Sequence, residues 1–266
     1  MACSLLLKVP LHVVSARRDR LAAWLQQHSY VPLNEVCTRF QISAATARRD
    51  LAALAVQKQI RRTHGGALGE EYHRFPTFLE RQRVASEGKQ SIAARARKLI
   101  EPGMSCFFDG GTTVFAIAEE LQRTPVTPLL IVTNSLPVAE LLAPVKGIAA
   151  HLLGGELVPR QSVLVGRVAR KVLEFYDIDL AFLGAEGIDA RGAWNSQEEV
   201  VELQKGIVKD ARHVVLCADR TKLGRAAPVF LARWKEIDLL LTDATPAQAG
   251  AQRLPAAFFQ TNPSPP

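Results

Sequence analysis

Acidic residues are scarce in the first third of this 266-residue chain, and cysteines, long apolar runs and repeats are scarce throughout. Each shortage excludes something. Cys3, Cys37, Cys106 and Cys217 lie far apart at no metal-type spacing, so a disulfide framework and a zinc module are excluded, and the thiols read as reduced in a cytoplasmic protein. No apolar run reaches the ~18–20 residues that span a bilayer, and no membrane partner is expected. The mildly apolar stretch LLLKVPLHVV carries Lys8, Pro10 and His12 and lacks a charged leading region, which argues against a signal peptide. There is no internal repeat, and no low-complexity tract beyond NPSPP. No Ser/His/Asp set or metal-ligand cluster stands out, so no catalytic residue, metal or cofactor is expected.

The charge is unevenly spread. Residues 1–75 hold eleven Lys and Arg against five Asp and Glu, whereas the remainder holds 22 against 21. A basic third on a near-neutral body implies a polyanion partner for that third alone. Within it, residues 16–27 show helical spacing through Leu21, Trp24 and Leu25. A second helix is predicted over 33–40, with Val36, Cys37 and Phe40 on one face. The tripeptide QIS ends on Ser43, a good N-cap, and a third helix follows to about Val56. At 100° per residue Ala44, Ala47, Leu51, Leu54 and Ala55 share the inner face. Ala45, Thr46 and Arg49 fall opposite, with Arg48 on one flank and Asp50 on the other. Such a turn and third helix make the helix-turn-helix pattern. Arg49 offers a planar fork to a guanine edge or a phosphate, and Thr46 offers a hydroxyl and a methyl. Residues 60–63 read as a short strand and Gly65-Gly66 as a turn, so that Arg61, Arg62 and His64 form a basic wing. The competing reading is an ordinary three-helix domain with a solvated basic face. The cap, the helix spacing and the basic hairpin together weigh against it.

The run SAATARRDLAALAVQKQIRRTHGGAL, residues 43–68, resembles the signature of the DeoR family of bacterial transcriptional regulators. That pattern has a recognition helix ending Arg-Arg-Asp-Leu and a wing ending Arg-Thr-His-Gly-Gly-Ala. Residues and resemblance together put Ser43, Ala45, Thr46, Arg48, Arg49, Arg61, Arg62, Thr63, His64 and Gly65 against double-stranded operator DNA. The resemblance implies that Asp50 braces a neighbouring arginine, since a carboxylate facing phosphates is repelled. Ala47 departs from the family's usual isoleucine, on the inner face, where it affects packing.

From about residue 75 the character changes. EYHRFP closes the first domain, and residues 75–100 read as helix. Apolar strands (MSCFF, LLIVTNS, AHLLGG, IDLAFLGAEG, HVVLCA, IDLLLTD) then alternate with helices (TTVFAIAEEL, LPVAELLA, EEVVELQKGIVKDA). This alternation implies a mainly parallel α/β sheet. The expected division is a winged helix-turn-helix over 16–70, a linker over 71–85 and an α/β domain over 86–245. In such sheets ligands sit at strand ends. DGGTTV passes from strand through Gly110 and Gly111 into a helix, where amides and the Thr112 and Thr113 hydroxyls can hold a phosphate. A glycine turn capped by threonine is also common at β–α junctions. Thr133-Asn134-Ser135, Gly154-Gly155 and Gly184-Ala185-Glu186-Gly187 repeat the theme at other strand ends. Together they suggest one cleft of amides, hydroxyls and carboxylates, suited to a phosphorylated polyol or sugar. Asp109, Asn134 and Glu186 are candidates to hold hydroxyls, and Arg160 and Lys222 are candidate counter-charges. The candidate effector set is thus Asp109, Gly110, Gly111, Thr112, Thr113, Asn134, Ser135, Gly154, Gly155, Arg160, Glu186 and Lys222.

This half is also similar to the DeoR sensor domain, through DGGTT, IVTNSLPVA, LLGGELVPR, IDLAFLGAEGID and ADRTKLGR. The resemblance runs from about Ala16 to Asp243. It implies a fold like that of ribose-5-phosphate isomerase and glucosamine-6-phosphate deaminase, and a sugar-phosphate effector. Gly110 stands where the family commonly has serine, and Glu186 where it has aspartate. The expected function is a repressor of sugar or carbohydrate metabolism genes, acting as a homo-oligomer, dimer or tetramer. A sugar-phosphate isomerase or deaminase with a DNA-binding appendage is the alternative. Asp109, Asp179, Glu186, Asp189, Glu198 and Glu199 could serve it, but their spacing pairs none of them as acid and base. A DNA-binding scaffold with an empty sensor domain is a third.

Overall fold

The computed structural model describes residues 11–26, 31–57, 59–63, 66–69 and 77–255. Its contacts divide into two units, one ending at Phe75 and one beginning at Pro76. Among the described residues no helix is long and apolar enough to cross a membrane.

The N-terminal unit contains α1 (Leu11–Gln26), β1 (Val31–Pro32), α2 (Leu33–Phe40), α3 (Ala44–Val56), β2 (Ile60–Thr63) and β3 (Gly66–Gly69). Leu21 and Leu25 of α1, Val36 of α2, and Ala47, Leu51 and Leu54 of α3 close a core with Val31 and Ile60. The α2–α3 turn is sharp because Gln41 adopts the left-handed conformation (φ 50°) and donates its N–H to the Cys37 carbonyl. Ser43 then accepts the Thr46 N–H at 3.2 Å and starts α3. The strands form an antiparallel sheet in the order β1-β3-β2. Three expectations change here. α1 begins at Leu11 rather than residue 16. Ala44 is exposed, because it precedes the first complete turn of α3. Two-residue β1, too short for a periodic signal, supplies a third strand to the wing sheet.

The C-terminal unit opens with α4 (Phe78–Arg83) and α5 (Ser86–Arg97), two helices where one was expected. Extended Val84 and left-handed Ala85 (φ 52°) break the run. The break is stabilised by Lys89, whose Nζ donates to the Arg81 and Val84 carbonyls at 2.5 and 2.6 Å, groups a helix end leaves unpaired. The rest alternates: β4 (Ser105–Phe108), α6 (Thr112–Arg123), β5 (Leu129–Thr133), α7 (Leu136–Leu142), β6 (Ile148–Leu152), β7 (Glu156–Val158), β8 (Val163–Val165), α8 (Arg167–Leu173) and β9 (Leu180–Gly184). Then follow β10 (Gly187–Asp189), β11 (Gly192–Asn195), α9 (Glu198–Asp210), β12 (His213–Cys217), β13 (Val229–Arg233), β14 (Leu239–Leu241) and α10 (Pro246–Ala251).

Six strands form a parallel sheet in the order β14-β12-β9-β4-β5-β6. Both faces are covered, which the period of two makes visible. Phe107, Ala181, Leu183, Val214 and Leu216 pack on one side with Leu203 and Ile207 of α9. Cys106, Phe108, Phe182, Val215 and Cys217 pack on the other with Ile92 of α5 and Ile117 of α6. A separate antiparallel sheet, β10-β11-β13, and the hairpin β7-β8 complete the unit. The chain builds outward from β4 through β5 to β6, then returns to β9 on β4's other side and continues to β12 and β14. The direction therefore reverses between β4 and β9, and the crevice at their carboxyl ends is where such sheets bind ligands.

Candidate functional site

In the N-terminal unit, Ser43, Ala45, Arg48 and Arg49 are exposed on α3, and Thr46 is half-buried. The Ser43 and Thr46 hydroxyls lie 3.0 Å apart, a pair at the start of the helix. Asp50 is buried, and it accepts from Arg17 Nε at 2.7 Å and Arg18 Nε at 2.9 Å. The arginines that Asp50 braces thus come from α1, not from its sequence neighbours Arg48 and Arg49. Its carboxylate ties α3 to α1. Arg61, Arg62 and Thr63 lie on β2, opposite Leu68, Ala67 and Gly66 of β3. His64 and Gly65 fall outside the described residues.

In the C-terminal unit the crevice between β4 and β9 is built around Asp109. Its Oδ2 accepts the Gly184 N–H at 2.9 Å and Gln204 Nε2 at 2.7 Å, so one carboxylate ties the end of β4 to β9 and α9. Gln204 Oε1 in turn accepts from Asn195 Nδ2 at 2.7 Å, and Asn195 Oδ1 accepts the Glu186 N–H at 2.9 Å. Burial raises the Asp109 pKa, against the hydrogen bonds from Gly184, Gly110 and Gln204 and the charge of Arg81. Burial also raises that of Glu186, against its hydrogen bond from Ser196 and the charges of Arg81 and Lys222. The start of α6 stands beside Asp109. Gly111 is its N-cap, no side chain caps it, and Thr112 and Thr113 are buried. Its first amides have no intrahelical partner.

Next to this cradle lies Asn134, at the end of β5. Its side chain is fully buried, and neither Nδ2 nor Oδ1 finds a hydrogen-bond partner among the described residues. A Cβ placed on Gly110 would sit 3.8 Å from Asn134 Oδ1 and 2.0 Å from Val163 Cγ1. Val163 therefore occupies the space a serine at 110 would need. Asp219, at the end of β12, is also buried; Oδ1 accepts the Thr221 N–H at 2.9 Å, while Oδ2 has no partner among the described residues.

The crevice brings together Asp109, Gly110, Gly111, Thr112, Thr113, Asn134 and Glu186, with Lys222 acting electrostatically on Glu186. Ser135 caps α7, with a weak 3.5 Å bond from the Val138 N–H. Gly155 (φ 134°) serves packing, since a Cβ there would lie 2.3 Å from the Val165 carbonyl oxygen, and a Cβ on Gly154 would touch Val168. Arg160 is exposed on the β7–β8 turn and lines a shallow groove with Gln82, Phe115 and Pro137 rather than the Asp109 crevice.

Sequence reasoning missed Arg81, Lys89 and Gln204. Arg81, on α4, has Nε and Nη2 shut from solvent, and its charge interacts with Glu186 and Asp109. Lys89 and Gln204 did leave a signal. Lys89 continues the apolar stripe of Ile92, Ala93 and Ala96, and Gln204 that of Val200 and Ile207. A polar residue on a buried helical face marks a tertiary partner. Burial pushes the Lys89 pKa down to about 8, opposed by Asp219 and reinforced by Lys222 and Arg81.

The pH dependence of stability follows from that shift. As pH rises from about 8 towards the usual lysine range, the unfolded chain keeps a proton that the native protein has lost. Stability should therefore rise with pH in this window, by at most about 1.4 kcal/mol per pH unit from this group. Below about pH 8 both states carry the proton and the contribution is flat. Urea midpoints of the native protein and Lys89→Met between pH 7 and 10 check this. The difference between the two curves should carry the slope, and parallel curves would show that Lys89 titrates normally.

Residues 17–71 match the family model for the DeoR-like helix-turn-helix domain, and residues 84–244 that for the DeoR C terminal sensor domain. The HTH-type transcriptional repressor GlcR of Bacillus subtilis is 35% identical over 237 residues, covering 88% of this chain and 91% of that protein. The glycerol-3-phosphate regulon repressor of Escherichia coli is 33% identical over 231 residues, covering 86% and 91%. Among solved structures, ribose 5-phosphate isomerase A of Methanocaldococcus jannaschii aligns at a TM-score of 0.38 and 19% identity, over 52% of this chain and 54% of its own.

Proposed function

The chain belongs to the DeoR family of transcriptional regulators, and from that premise we propose that it is a repressor whose α3 and wing hold operator DNA and whose β4–β9 crevice binds a phosphorylated sugar or polyol. Ligand binding favours a state with weaker DNA affinity, and the active species is a cytoplasmic homo-oligomer. The protein is a regulator, not an enzyme, as are the relatives it matches along nine-tenths of their length.

One observation carries the ligand half. The Asn134 amide is fully buried, with a donor group and an acceptor both unpartnered among the described residues, beside the start of α6. A buried amide without partners is costly. A hydroxylated ligand supplies both bonds. Its phosphate then takes the amides of Gly111, Thr112 and Thr113, where the helix end favours an anion. Glu186 takes further hydroxyls, and Lys222 and Arg81 balance the charge. Asp109 holds the crevice open by tying β4 to β9.

In the DNA half, Arg49 reads a base edge from α3, and Arg48, Arg61 and Arg62 meet the backbone. Arg49→Ala should weaken operator binding by about 1–3 kcal/mol and relax preference at one base pair. Unchanged affinity and specificity in that variant would remove α3 from the groove.

The reading is tested by gel shift on DNA from upstream of the gene, with and without a panel of phosphorylated sugars and polyols. The panel includes sn-glycerol 3-phosphate, after the name of the Escherichia coli relative. Specific binding that one compound weakens is the expected result. Specific binding that no compound affects would leave the crevice without its ligand class.

A further inference from the structure

The parallel sheet has two edges, and they differ. β14 is three residues long, with Leu240 and Leu241 buried. β6 is five residues long, IAAHL, with Ala149, His151 and Leu152 exposed. Edge strands are commonly blunted by a charge, a proline or a bulge. β6 carries no charged residue and no proline, and its pairing with β5 runs without a bulge from Ile148 to Leu152. Among the described residues no strand pairs with its other side. The Gly147 carbonyl accepts the Leu129 N–H at 3.0 Å, and the Leu153 N–H donates to the Thr133 carbonyl at 2.8 Å. Alternate residues therefore turn their backbone towards β5, and Ile148, Ala150 and Leu152 turn theirs away. The Ile148 N–H is taken up by the Val145 carbonyl at 3.1 Å. Among the described residues no hydrogen bond reaches the N–H of Ala150 or Leu152. Apolar side chains flank this edge. Leu152 is 38% exposed on the face that Ala150 shares with α6. On the other face His151 Nδ1 lies 3.0 Å from the Tyr176 hydroxyl, which brings the chain after α8 to the strand, and neighbouring Phe175 is 77% exposed.

We propose that β6 is a self-association edge: a second copy of this chain adds its own β6 antiparallel to the first, across a two-fold axis, and joins the two parallel sheets into one. This rests on the homo-oligomer reading above and names its surface. A strand set antiparallel to itself is self-complementary, as a two-fold interface requires. The N–H groups of Ala150 and Leu152 in each copy meet the outward carbonyls of the same strand in the other. Charge favours a second copy as the occupant. Exposed Lys146 precedes β6 and exposed Glu156 follows it. Antiparallel addition brings the lysine end of each strand to the glutamate end of the other, whereas two copies set parallel would place like charges side by side. The uncharged strand between them presents nothing that repels its own copy. Leu152 and Phe175 then lose exposure on the two faces of the joined sheet, a contribution that backbone bonds alone would lack.

The test uses the full chain without ligand or DNA. Sedimentation equilibrium reads the mass, and amide hydrogen exchange over residues 148–152 reads the edge. Ala150→Pro deletes an outward N–H and leaves the bonds to β5 in place, as edge strands tolerate. Leu152→Lys sets a like charge on each side of the two-fold axis. Each variant should raise the Kd of self-association at least about tenfold, the worth of one or two hydrogen bonds, with the native circular dichroism spectrum. In the native protein, exchange of the Ala150 and Leu152 amides should slow at least about tenfold from the dilute monomer to the assembled species. A native chain that stays monomeric at every concentration defeats the homo-oligomer reading, and the inference falls with it. An oligomer whose Kd neither variant changes overturns the inference alone, as does exchange over 148–152 that is indifferent to assembly. Should Ala150→Pro not fold, Leu152→Lys and exchange in the native protein still decide.

Discussion

Replacing Asp50 with alanine is expected to destabilise the N-terminal unit by about 2–4 kcal/mol and to abolish most operator binding, although Asp50 contacts no DNA in the proposed docking. Its carboxylate is 2% exposed and joins two arginines. Removing it leaves Arg17 and Arg18 side by side with no counter-charge between them. Their side chains are 16% and 27% exposed, so water recovers part of the loss, and the figure lies below that for a fully buried pair. A unit of this size has little stability to lose. Urea unfolding followed by Trp24 fluorescence, with gel shift on the same samples, gives the answer. A variant with native stability and native affinity would mean that the two ion pairs do not orient α3. Asp50→Asn should fall between, since the amide oxygen still accepts one of the two bonds.

The second large effect has opposite signs in its two readouts. Asn134→Leu should make the unliganded protein more stable by about 1–3 kcal/mol, because it replaces a buried, unpartnered amide with an apolar group of similar shape. The same change should weaken the sugar-phosphate effector by roughly 10–100-fold, through two lost hydrogen bonds. Operator affinity without effector should stay the same. Such an exchange of stability against function is common where a site is held ready for a ligand. Loss of stability with normal effector affinity would show that Asn134 is an ordinary structural amide.

The elements legible in the sequence were those with local causes. Ser43 announces α3 because a hydroxyl there can accept the Thr46 N–H, and spacing gives Ala47, Leu51 and Leu54 of its inner face, though not the exposed Ala44. DGGTTV announces the β4–α6 turn through its paired glycines instead, since Gly111 is the N-cap and no side chain caps α6. Non-local facts were not legible. Nothing near Asp109 tells that β9, some 75 positions later, lies beside β4, yet that pairing makes the crevice and brings Gly184 to Asp109. The three-stranded sheet β10-β11-β13 escaped notice because its strands are three to five residues long and two of them start on glycine. Arg81 escaped because α4 is too short to show a period, and the single helix expected over 75–100 concealed the break that Lys89 stabilises. Asp50 was placed on a flank of α3 by the wheel, whereas the depth of its burial depends on Arg17 and Arg18 arriving from α1.

The most direct measurement is of the coupling between operator and effector, made from both sides. With the effector from the gel-shift panel, the operator Kd is determined with and without saturating effector, and the effector Kd with and without operator. Linkage requires the two ratios to agree, and couplings of this kind amount to about 5–150-fold. Operator binding weakened by one factor, and effector binding weakened by the same factor, is the predicted result. An effector that saturates the crevice while the operator Kd stays unchanged would contradict the claim that this crevice controls DNA binding.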